Sequence, residues 1–297
     1  MTALEVVSPG PLTLVEDLGR PGWAGLGVGR SGAFDRGALR LANRLVGNRE
    51  DAPALEALAG GLTLGSVGAA VVAVTGADGP VALTRRGRTT YVSRRSPLHL
   101  EPGDVLQLEA PSEGLRSYVA LRGGVRAPSA LGSSSRDVLA AIGPEPLRAG
   151  DVVASGTRAV DHPHIDHAPH RSVLGPIHVL MGPRQEWFTD DAVRLLVTSR
   201  WTVTPRSNRV GVRLGGPPLA RRHPGAELPS EPVVPGAIQV PADGQPVVLG
   251  PDAPTTGGYP VIAVVLDADL DRLAHVVPGQ ILDIRETNTD VLEMNRV

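Results

Sequence analysis

The sequence predicts a mainly β protein with a few short helices, and three observations support this fold class. The 297 residues include 36 glycines and 28 prolines, nearly twice the usual share, without a collagen period or a low-complexity segment. Such a composition is typical of short strands joined by many tight turns. Runs of β-branched residues are bounded by Gly, Pro or Asp, whereas helical periodicity is confined to three short segments.

Those three segments carry the start and stop signals of helices. Residues 35–46 begin at Asp35, a suitable N-cap, have apolar residues at helical spacing and end before a glycine. Residues 189–197 begin at Thr189 and have two aspartates in the first turn, where the helix dipole favours negative charge. Residues 267–274 form a third, shorter candidate that ends before a Pro-Gly turn.

The predicted strands are short and rich in valine and isoleucine. A turn that contains glycine and is followed by an alternating apolar strand recurs three times, which is typical of the exit from a hairpin. The predicted strands are residues 69–74, 118–121, 201–204, 246–249 and 261–266, and the recurring units are residues 102–108, 149–155 and 278–284.

The length predicts one large or two medium domains. Residues 158–172 contain Pro, His and Asp without apolar periodicity, so we interpret them as a connection. The boundary is placed near residue 168, which gives domains at 1–168 and 169–297. Each half has a Gly-Pro turn, a helix and a Gly-Gly turn in that order, and this order indicates an internal duplication.

The absence of cysteine and lysine excludes several chemistries. All 29 basic residues are arginines, so the chain has no thiol nucleophile, Schiff-base lysine, P-loop lysine or biotinyl-lysine. The serine run 133–135 therefore has no lysine to form a Ser–Ser–Lys centre. A net charge of −2 gives no electrostatic reason to bind nucleic acid. No signal peptide or long apolar run is visible, and a cytoplasmic location away from membranes is expected.

The first dense polar patch is residues 16–35. It places Asp17, Arg20, Ser31 and Asp35 among six glycines, directly before the first predicted helix. Glycines allow a backbone to approach a ligand closely, and a helix N-terminus attracts anions. A ligand-binding loop is favoured over a glycine-rich turn with a simple helix cap.

A second patch covers residues 230–246 and 252–260, and a third covers 205–211. In the second, prolines and glycines surround side chains that suit a small polar ligand, although a pair of rigid β-turns is an equal alternative. In the third patch, Arg209 could hold a carboxylate or phosphate in a bidentate grip, and a solvated turn is the alternative. The candidate side chains are Glu231, Gln239, Thr255, Thr256, Tyr259 and Arg209.

The segment 161–170 contains four histidines and two aspartates but lacks the regular scaffold that a metal site needs. We expect adventitious metal affinity there and assign no metal site.

Ten strings between residues 4 and 260 resemble the family of the 5-oxoprolinase C subunit, in the family's order, and the resemblance extends to about residue 284. This family overlaps with allophanate hydrolase subunit 2 and with the biotin-dependent carboxyltransferase domain of urea amidolyase. The most specific strings are VPGAIQVPADGQP and TTGGYP, and the others are LEVVSPGPLTLVEDLGRPG, GRSGAFDRGALRLANRLVGN, ALEALAGGLTL, VTGAD, LRGGV, LGSSSRD, MGPRQEWF and RSNRVGVRL.

The resemblance implies two cyclophilin-like β-barrel domains and a partner, the B-type protein of 5-oxoprolinase, with an A-type protein as a further component. It implies ATP-dependent opening of 5-oxoproline to glutamate, with ATP and Mg²⁺ acting through the complex, and no activity of this chain alone. Because phosphorylation of a lactam oxygen activates the carbonyl, this chemistry needs neither thiol nor lysine.

The candidate roles follow from residue type. Asp17, Asp35, Glu56 and Glu231 are candidates for Mg²⁺ or acid–base chemistry, and Arg20 and Arg209 for binding of a substrate carboxylate or phosphate. The candidate hydrogen-bonding groups are Ser31, Asn43, Gln239, Thr255, Thr256 and Tyr259. The structural alternatives are an ordinary exposed glutamate for Glu56 and a helix-surface residue for Asn43.

Two other functions stay open. A carboxyltransferase would move CO₂ from carboxybiotin, carried by another protein, to urea or a related amide. A non-enzymatic protein would antagonise a kinase inhibitor through the same contact with the B-type partner.

Overall fold

The computed structural model describes residues 2–163, 165–169, 172 and 174–287, and these residues are mainly β. They divide into two compact units. The N-terminal unit comprises Met1–Arg20, Ser31–Asp137 and Ala141–Val173, and the C-terminal unit comprises Pro21–Arg30, Val138–Ala140 and Leu174–Val297. Two short excursions of the N-terminal half of the chain therefore belong to the C-terminal unit.

The N-terminal unit contains two antiparallel sheets, in the strand orders β11-β1-β4-β9-β6-β7 and β2-β3-β10-β5-β8. Alternation places Leu4, Val6, Leu64, Leu106 and Val119 in one apolar core. The strands are β1 (Ala3–Pro9), β2 (Leu12–Glu16), β3 (Ala54–Leu58), β4 (Leu62–Ser66), β5 (Ala70–Asp78), β6 (Val81–Arg85), β7 (Arg88–Tyr91), β8 (Leu98–Leu100), β9 (Val105–Leu108), β10 (Glu113–Leu121) and β11 (Val152–Ala154).

Helix α1 (Arg36–Leu45) packs in the same unit, and its start follows the predicted signal. The Asp35 side chain caps the helix by accepting a hydrogen bond from the amide of Ala38. After the helix, Gly47 has φ = 68°, a backbone conformation that glycine adopts without strain. The predicted helix over 35–46 is confirmed to within one residue at its C-terminal end.

The C-terminal unit contains a closed seven-stranded barrel and a separate two-stranded pair, β15 with β18. The strand order around the barrel is β12-β19-β16-β17-β14-β13-β20. The strands are β12 (Ile177–Met181), β13 (Arg200–Val203), β14 (Gly211–Gly215), β15 (Glu231–Pro232), β16 (Ala237–Gln239), β17 (Val247–Leu249), β18 (Thr256–Gly257), β19 (Val261–Val265) and β20 (Ile281–Glu286).

The other two helices lie in the C-terminal unit. Helix α2 (Asp190–Thr198) is capped by the hydroxyl of Thr189, as predicted. Helix α3 (Asp267–Leu270) continues as a 3₁₀ helix, Asp271–His275. The third predicted helix therefore exists, but its first part is α-helical and its second part is 3₁₀. The mainly β fold class is confirmed. In the described ranges, none of the helices has the length and apolarity needed to cross a membrane.

Candidate functional site

The carboxylate of Asp17 is surrounded by the serine run. Its Oδ1 accepts hydrogen bonds from Gly19 N at 2.8 Å and from the hydroxyls of Ser133 and Ser135 at 2.6 Å each. Its Oδ2 accepts a bond from Ser134 N at 2.7 Å. These groups are all buried or nearly so. The serines therefore act as donors to a buried carboxylate and tie the segment after β2 to the segment 133–135.

Arg20 lies beside this cage and is almost fully buried, with 1% of its surface exposed. Its Nη2 donates to the carbonyl of Ser135 and its Nε to the carbonyl of Ala130 at 3.4 Å. Within the described part of the chain, its Nη1 has no hydrogen-bond partner. Burial of this depth indicates a group that holds loops together rather than one that meets a substrate from solvent.

Glu56 lies on β3 and forms the centre of a second buried network. Its Oε2 accepts bonds from the Tyr118 hydroxyl at 2.7 Å and from Phe34 N at 3.0 Å, and its Oε1 lies 3.3 Å from Arg116 Nε. The Tyr118 oxygen in turn accepts a bond from Asp35 N at 2.7 Å. The alternative of an exposed glutamate is therefore wrong for Glu56, because cross-strand pairing with β10 turns its side chain inward.

Burial and neighbouring charges keep the Tyr118 phenol of this network protonated. Burial, and then the charges of Glu56 and Asp35, raise the pKa of Tyr118 well above its usual value. The phenol therefore stays protonated at neutral pH and remains a donor to Glu56. The guanidinium of Arg116 also lies over the ring of Phe34, 4.6 Å from its centroid.

Ser31 and Asn43 also occupy internal positions. The Ser31 hydroxyl donates to the carbonyl of Arg136 at 3.1 Å, and Ser31 has φ = 52°. Asn43 is fully buried and donates to the carbonyl of Ala52 at 2.7 Å, and its side-chain oxygen accepts a bond from Asn48. The helix-surface alternative for Asn43 is wrong, because the buried face of α1 is wide enough to include this position.

Arg209 forms a buried ion pair in the C-terminal unit. Its Nε and Nη2 donate to the two carboxylate oxygens of Asp252 at 2.7 and 3.1 Å, and both side chains are at most 2% exposed. Asp252 also accepts a bond from Val138 N at 3.1 Å. The bidentate grip predicted for Arg209 thus exists, and its partner is a carboxylate of the protein itself.

Glu231 differs from the carboxylates described above because it is half-exposed. Arg184 donates to it from Nε at 3.1 and 3.0 Å and also from Nη2. The exposed fractions of the two side chains are 34% for Arg184 and 31% for Glu231. The hydrogen bond to Glu231 raises the pKa of Arg184, so the guanidinium stays charged.

The remaining candidates of the second patch assemble around this pair. Glu231 is the cross-strand partner of Gly257, next to the pair formed by Pro232 and Thr256. A Cβ on Gly257 would collide with the Nε2 atom of Gln239, which therefore lies against this glycine. Gln239 Nε2 donates to the carbonyl of Tyr259 at 3.2 Å. We name Arg184, Glu231, Gln239 and Gly257 the open cluster, because solvent reaches its ion pair.

Thr255 and Tyr259 flank the open cluster. The carbonyl of Thr255 accepts a bond from Val233 N, and the ring of Tyr259 is half-exposed. Thr256 is also exposed. Three hydroxyl groups thus lie near the cluster in sequence, and two of their residues are exposed, as a surface that binds a polar ligand requires.

Sequence reasoning missed several residues that the structure makes prominent. Arg184 lies in the string MGPRQEWF and Asp252 lies within the second patch, but neither is among the candidate side chains predicted from the sequence. Tyr118 is predicted only as part of the strand 118–121, and Arg116 lies outside every predicted strand and patch. Each of these residues is distinguished by the partner that it contacts in the fold. For Arg184, Asp252 and Tyr118 that partner lies at least 43 residues away in the sequence, so no local pattern reveals it.

The histidine-rich segment 161–170 is only partly described, because His164 and His170 lie outside the described residues. Among the residues that are described, no group of three His, Asp or Glu side chains could hold a metal ion. His167 meets the hydroxyl of Ser96 at 3.0 Å.

This mainly β chain, with its closed barrel, is a protein of the carboxyltransferase-domain class. Similarity to known proteins gives this class. The chain belongs to the family described as "Carboxyltransferase domain, subdomain A and B", which matches residues 26–286. It is 37% identical to the 5-oxoprolinase C subunit of Escherichia coli, over 93% of this chain and 89% of the relative. It is 35% identical to the 5-oxoprolinase C subunit of Haemophilus influenzae, over 89% and 85%.

Larger proteins contain a similar region. Urea amidolyase of Saccharomyces cerevisiae is 31% identical over 94% of this chain, which spans only 16% of that enzyme. The crystal structure of the K. lactis urea amidolyase superimposes with a TM-score of 0.88 at 29% identity, over 98% of this chain and 19% of the enzyme. The protein TTHA0988 superimposes with a TM-score of 0.84 at 36% identity, over 97% of this chain and 56% of its own.

Proposed function

We propose that this chain is a component of an ATP-dependent 5-oxoprolinase, which opens 5-oxoproline to L-glutamate together with a B-type partner and an A-type partner. One observation carries the proposal. The similarity to two proteins named as C subunits of 5-oxoprolinase spans 89% and 85% of their length, whereas the chain spans 16% of the yeast urea amidolyase. On this proposal the chain does not turn over substrate alone, and the complex works in the cytoplasm.

The substrate is proposed to bind at the open cluster. Arg184 is held by Glu231 and keeps solvent access, so its guanidinium is available to a carboxylate or a carbonyl oxygen. Exposed Tyr259 and Thr256 lie on the neighbouring chain segment. By contrast, Asp17, Arg20, Glu56 and Arg209 are buried and bonded to groups of the protein, which supports structural roles for them.

The four candidate carboxylates, Asp17, Asp35, Glu56 and Glu231, do not fit a Mg²⁺–ATP site. Mg²⁺ requires oxygen ligands that are not already committed to protein donors. Asp17 is bonded to four donors, Asp35 caps α1, Glu56 binds Tyr118, and Glu231 binds Arg184. We therefore place the binding of ATP and Mg²⁺ on the partner proteins, and we assign no step of the nucleotide chemistry to these carboxylates.

The experiment is reconstitution of the complex. This chain is purified with its B-type and A-type partners, and glutamate release from 5-oxoproline is measured with ATP and Mg²⁺. We expect release by the full complex and none when this chain is omitted. Absence of release by the full complex would overturn the proposal.

A second candidate is a carboxyltransferase component that takes carboxybiotin from another protein to urea or a related amide. The match of residues 26–286 to the carboxyltransferase domain favours it. The discriminating assay supplies the complex with a carboxybiotin-bearing protein and urea, and measures carboxylated urea. A complex that assembles without turnover in either assay would favour the non-enzymatic role, antagonism of a kinase inhibitor.

A further inference from the structure

Gln239 presents a hydrogen-bond acceptor whose direction the structure determines. Its Nε2 donates to the carbonyl oxygen of Tyr259 at 3.2 Å. Because a carbonyl oxygen only accepts hydrogen bonds, the NH₂ group must face Tyr259 and the amide cannot be turned around. The side-chain oxygen Oε1 therefore faces away from the Tyr259 carbonyl.

This oxygen has an unused capacity. Only 6% of the Gln239 surface is exposed. Even so, its Oε1 accepts no hydrogen bond from the residues that the structure describes. Oε1 is not fully buried, so it keeps contact with solvent. A carbonyl oxygen on an ordered, mostly buried side chain is ready to accept a bond from a ligand.

Gly257 sets the position of this amide. Any Cβ at residue 257 would approach Nε2 of Gln239 more closely than real Cβ atoms approach other atoms. The Gln239 amide thus occupies the space of a side chain at residue 257, whose cross-strand partner is Glu231. Side chains of directly paired residues share one face, so the Gln239 amide lies on the face that bears Glu231.

The open cluster therefore contains three different functional groups. Arg184 supplies N–H donors and positive charge, Glu231 supplies negative charge, and Gln239 supplies one neutral acceptor. A neutral acceptor on the same face as a Glu231 that holds a guanidinium complements the donor–acceptor pair of an amide, which has both an N–H and a C=O group. A tertiary amide has no N–H and would leave the oxygen of Gln239 without a partner, at a cost in affinity.

We propose that Gln239 is the residue that recognises the N–H of an amide or lactam substrate, and that Gly257 positions it for this role. The proposal rests on the proposed function in one respect, because it takes the open cluster as the substrate site. It adds the chemical requirement for an N–H group, which the family assignment does not supply.

The test compares two lactam competitors, one with an N–H group and one in which a methyl group replaces that hydrogen. With the reconstituted complex, KM and kcat are measured for 5-oxoproline, and 2-pyrrolidone and N-methyl-2-pyrrolidone are measured as competitors. The variants are Gln239→Met, which keeps the length and removes the acceptor, and Gly257→Ala, which displaces the amide. Gln107→Met, at an exposed position of β9 in the N-terminal unit, is the matched control.

We expect Gln239→Met to raise KM about tenfold with kcat changed less than about twofold, as loss of one hydrogen bond implies. The native complex should bind 2-pyrrolidone more tightly than its N-methyl analogue, and Gln239→Met should abolish that preference. Gly257→Ala should raise KM similarly, and combining it with Gln239→Met should add no further loss. Gln107→Met should change none of these values.

The outcomes separate this proposal from the proposed function. An active complex in which Gln239→Met leaves KM and the N–H preference unchanged overturns the role of Gln239 while the 5-oxoprolinase assignment stands. If the native complex releases no glutamate, the assignment fails, and the binding of the two pyrrolidones still decides the role of Gln239. Equal affinity of the native complex for both pyrrolidones contradicts the role in either case.

Discussion

Glu56 and Glu231 each meet an arginine, but their surroundings differ. The Glu56–Arg116 pair is 3% and 7% exposed, and the carboxylate also binds Tyr118 and Phe34 N. The Glu231–Arg184 pair is 31% and 34% exposed. A buried pair must satisfy every polar atom internally, whereas a half-exposed pair can exchange water for a ligand. The difference therefore supports a structural role for the first pair and is consistent with the binding role that we propose for the second.

The largest expected effect tests whether a buried ion pair in the C-terminal unit is structural. Asp252→Asn should reduce the free energy of unfolding by about 3–5 kcal/mol, because it removes the charge of a bidentate partner from the buried guanidinium of Arg209. All three tryptophans lie in the C-terminal unit, so urea unfolding followed by tryptophan fluorescence reports on this unit.

Asp283→Asn, at an exposed position of β20, is the matched control and should change stability by less than about 0.5 kcal/mol. A stable Asp252→Asn protein that loses activity would contradict the structural assignment of the Arg209–Asp252 pair.

The next effect concerns the buried network of the N-terminal unit. Tyr118→Phe removes the hydroxyl that joins Glu56 to Asp35 N and should cost about 1–3 kcal/mol, measured by calorimetry. Tyr91→Phe, at an exposed tyrosine, should cost less than about 0.5 kcal/mol. If the network is only structural, folded Tyr118→Phe keeps the KM and kcat of the complex.

The pH dependence of this effect has a definite sign. Because the folded state raises the pKa of Tyr118, the contribution of its hydroxyl is fully present below the unfolded pKa of about 10. It is lost as pH rises through the raised folded pKa. The stability difference between the native protein and Tyr118→Phe should therefore be constant at neutral pH and shrink in alkali. A difference that grows in alkali would contradict this account.

A third effect tests the half-exposed pair. Arg184→Gln should raise KM for 5-oxoproline at least about tenfold, equivalent to about 1.4 kcal/mol of binding energy. It should change the free energy of unfolding by less than about 1 kcal/mol, as for other exposed ion pairs. Arg222→Gln breaks an exposed pair with Asp190 in the same unit and should leave KM unchanged. Equal effects of both variants on KM would remove the distinction between the two pairs.

The smallest expected effect tests whether partial exposure of the arginine in an ion pair is enough to indicate a binding role. Arg85 is 38% exposed, but its partner Asp104 is buried and also accepts a bond from Glu101 N. Asp104→Asn should cost about 1 kcal/mol near neutral pH and leave KM unchanged. The hydrogen bonds from Arg85 lower the pKa of Asp104, so this stability exists above the unfolded pKa of about 3.9.

That contribution is lost as pH falls through the lowered folded pKa. As pH falls, the free energy of unfolding of Asp104→Asn should therefore decrease less than that of the native protein. Calorimetry over an acidic pH series measures both. Glu5→Gln, at an exposed position of β1, is the control and should behave like the native protein.

Local signals predicted much of the fold. Asp35 and Thr189 cap helices as their sequence positions indicate, and the recurring units contain strands β9, β11 and β20. Capping and turn chemistry depend on residues within four positions of each other, so a sequence displays them directly. The boundary at 168 and the internal duplication stay predictions. The excursions 21–30 and 138–140 depend on long-range contacts, which no local pattern shows.

The sequence selected polar residues as candidates for ligand binding or catalysis, but it did not distinguish carboxylates that stabilise the fold from those that face solvent. Residue type and spacing determined the mainly β class, the three helices and the exclusion of lysine and thiol chemistry, and the resemblance of ten sequence strings indicated the family. Only the tertiary structure buried Glu56 and Asn43, paired Arg209 with Asp252, and left Arg184, Glu231 and the oxygen of Gln239 in contact with solvent. The physical reason is that burial and long-range pairing depend on which segments pack together, and residue type alone does not specify this.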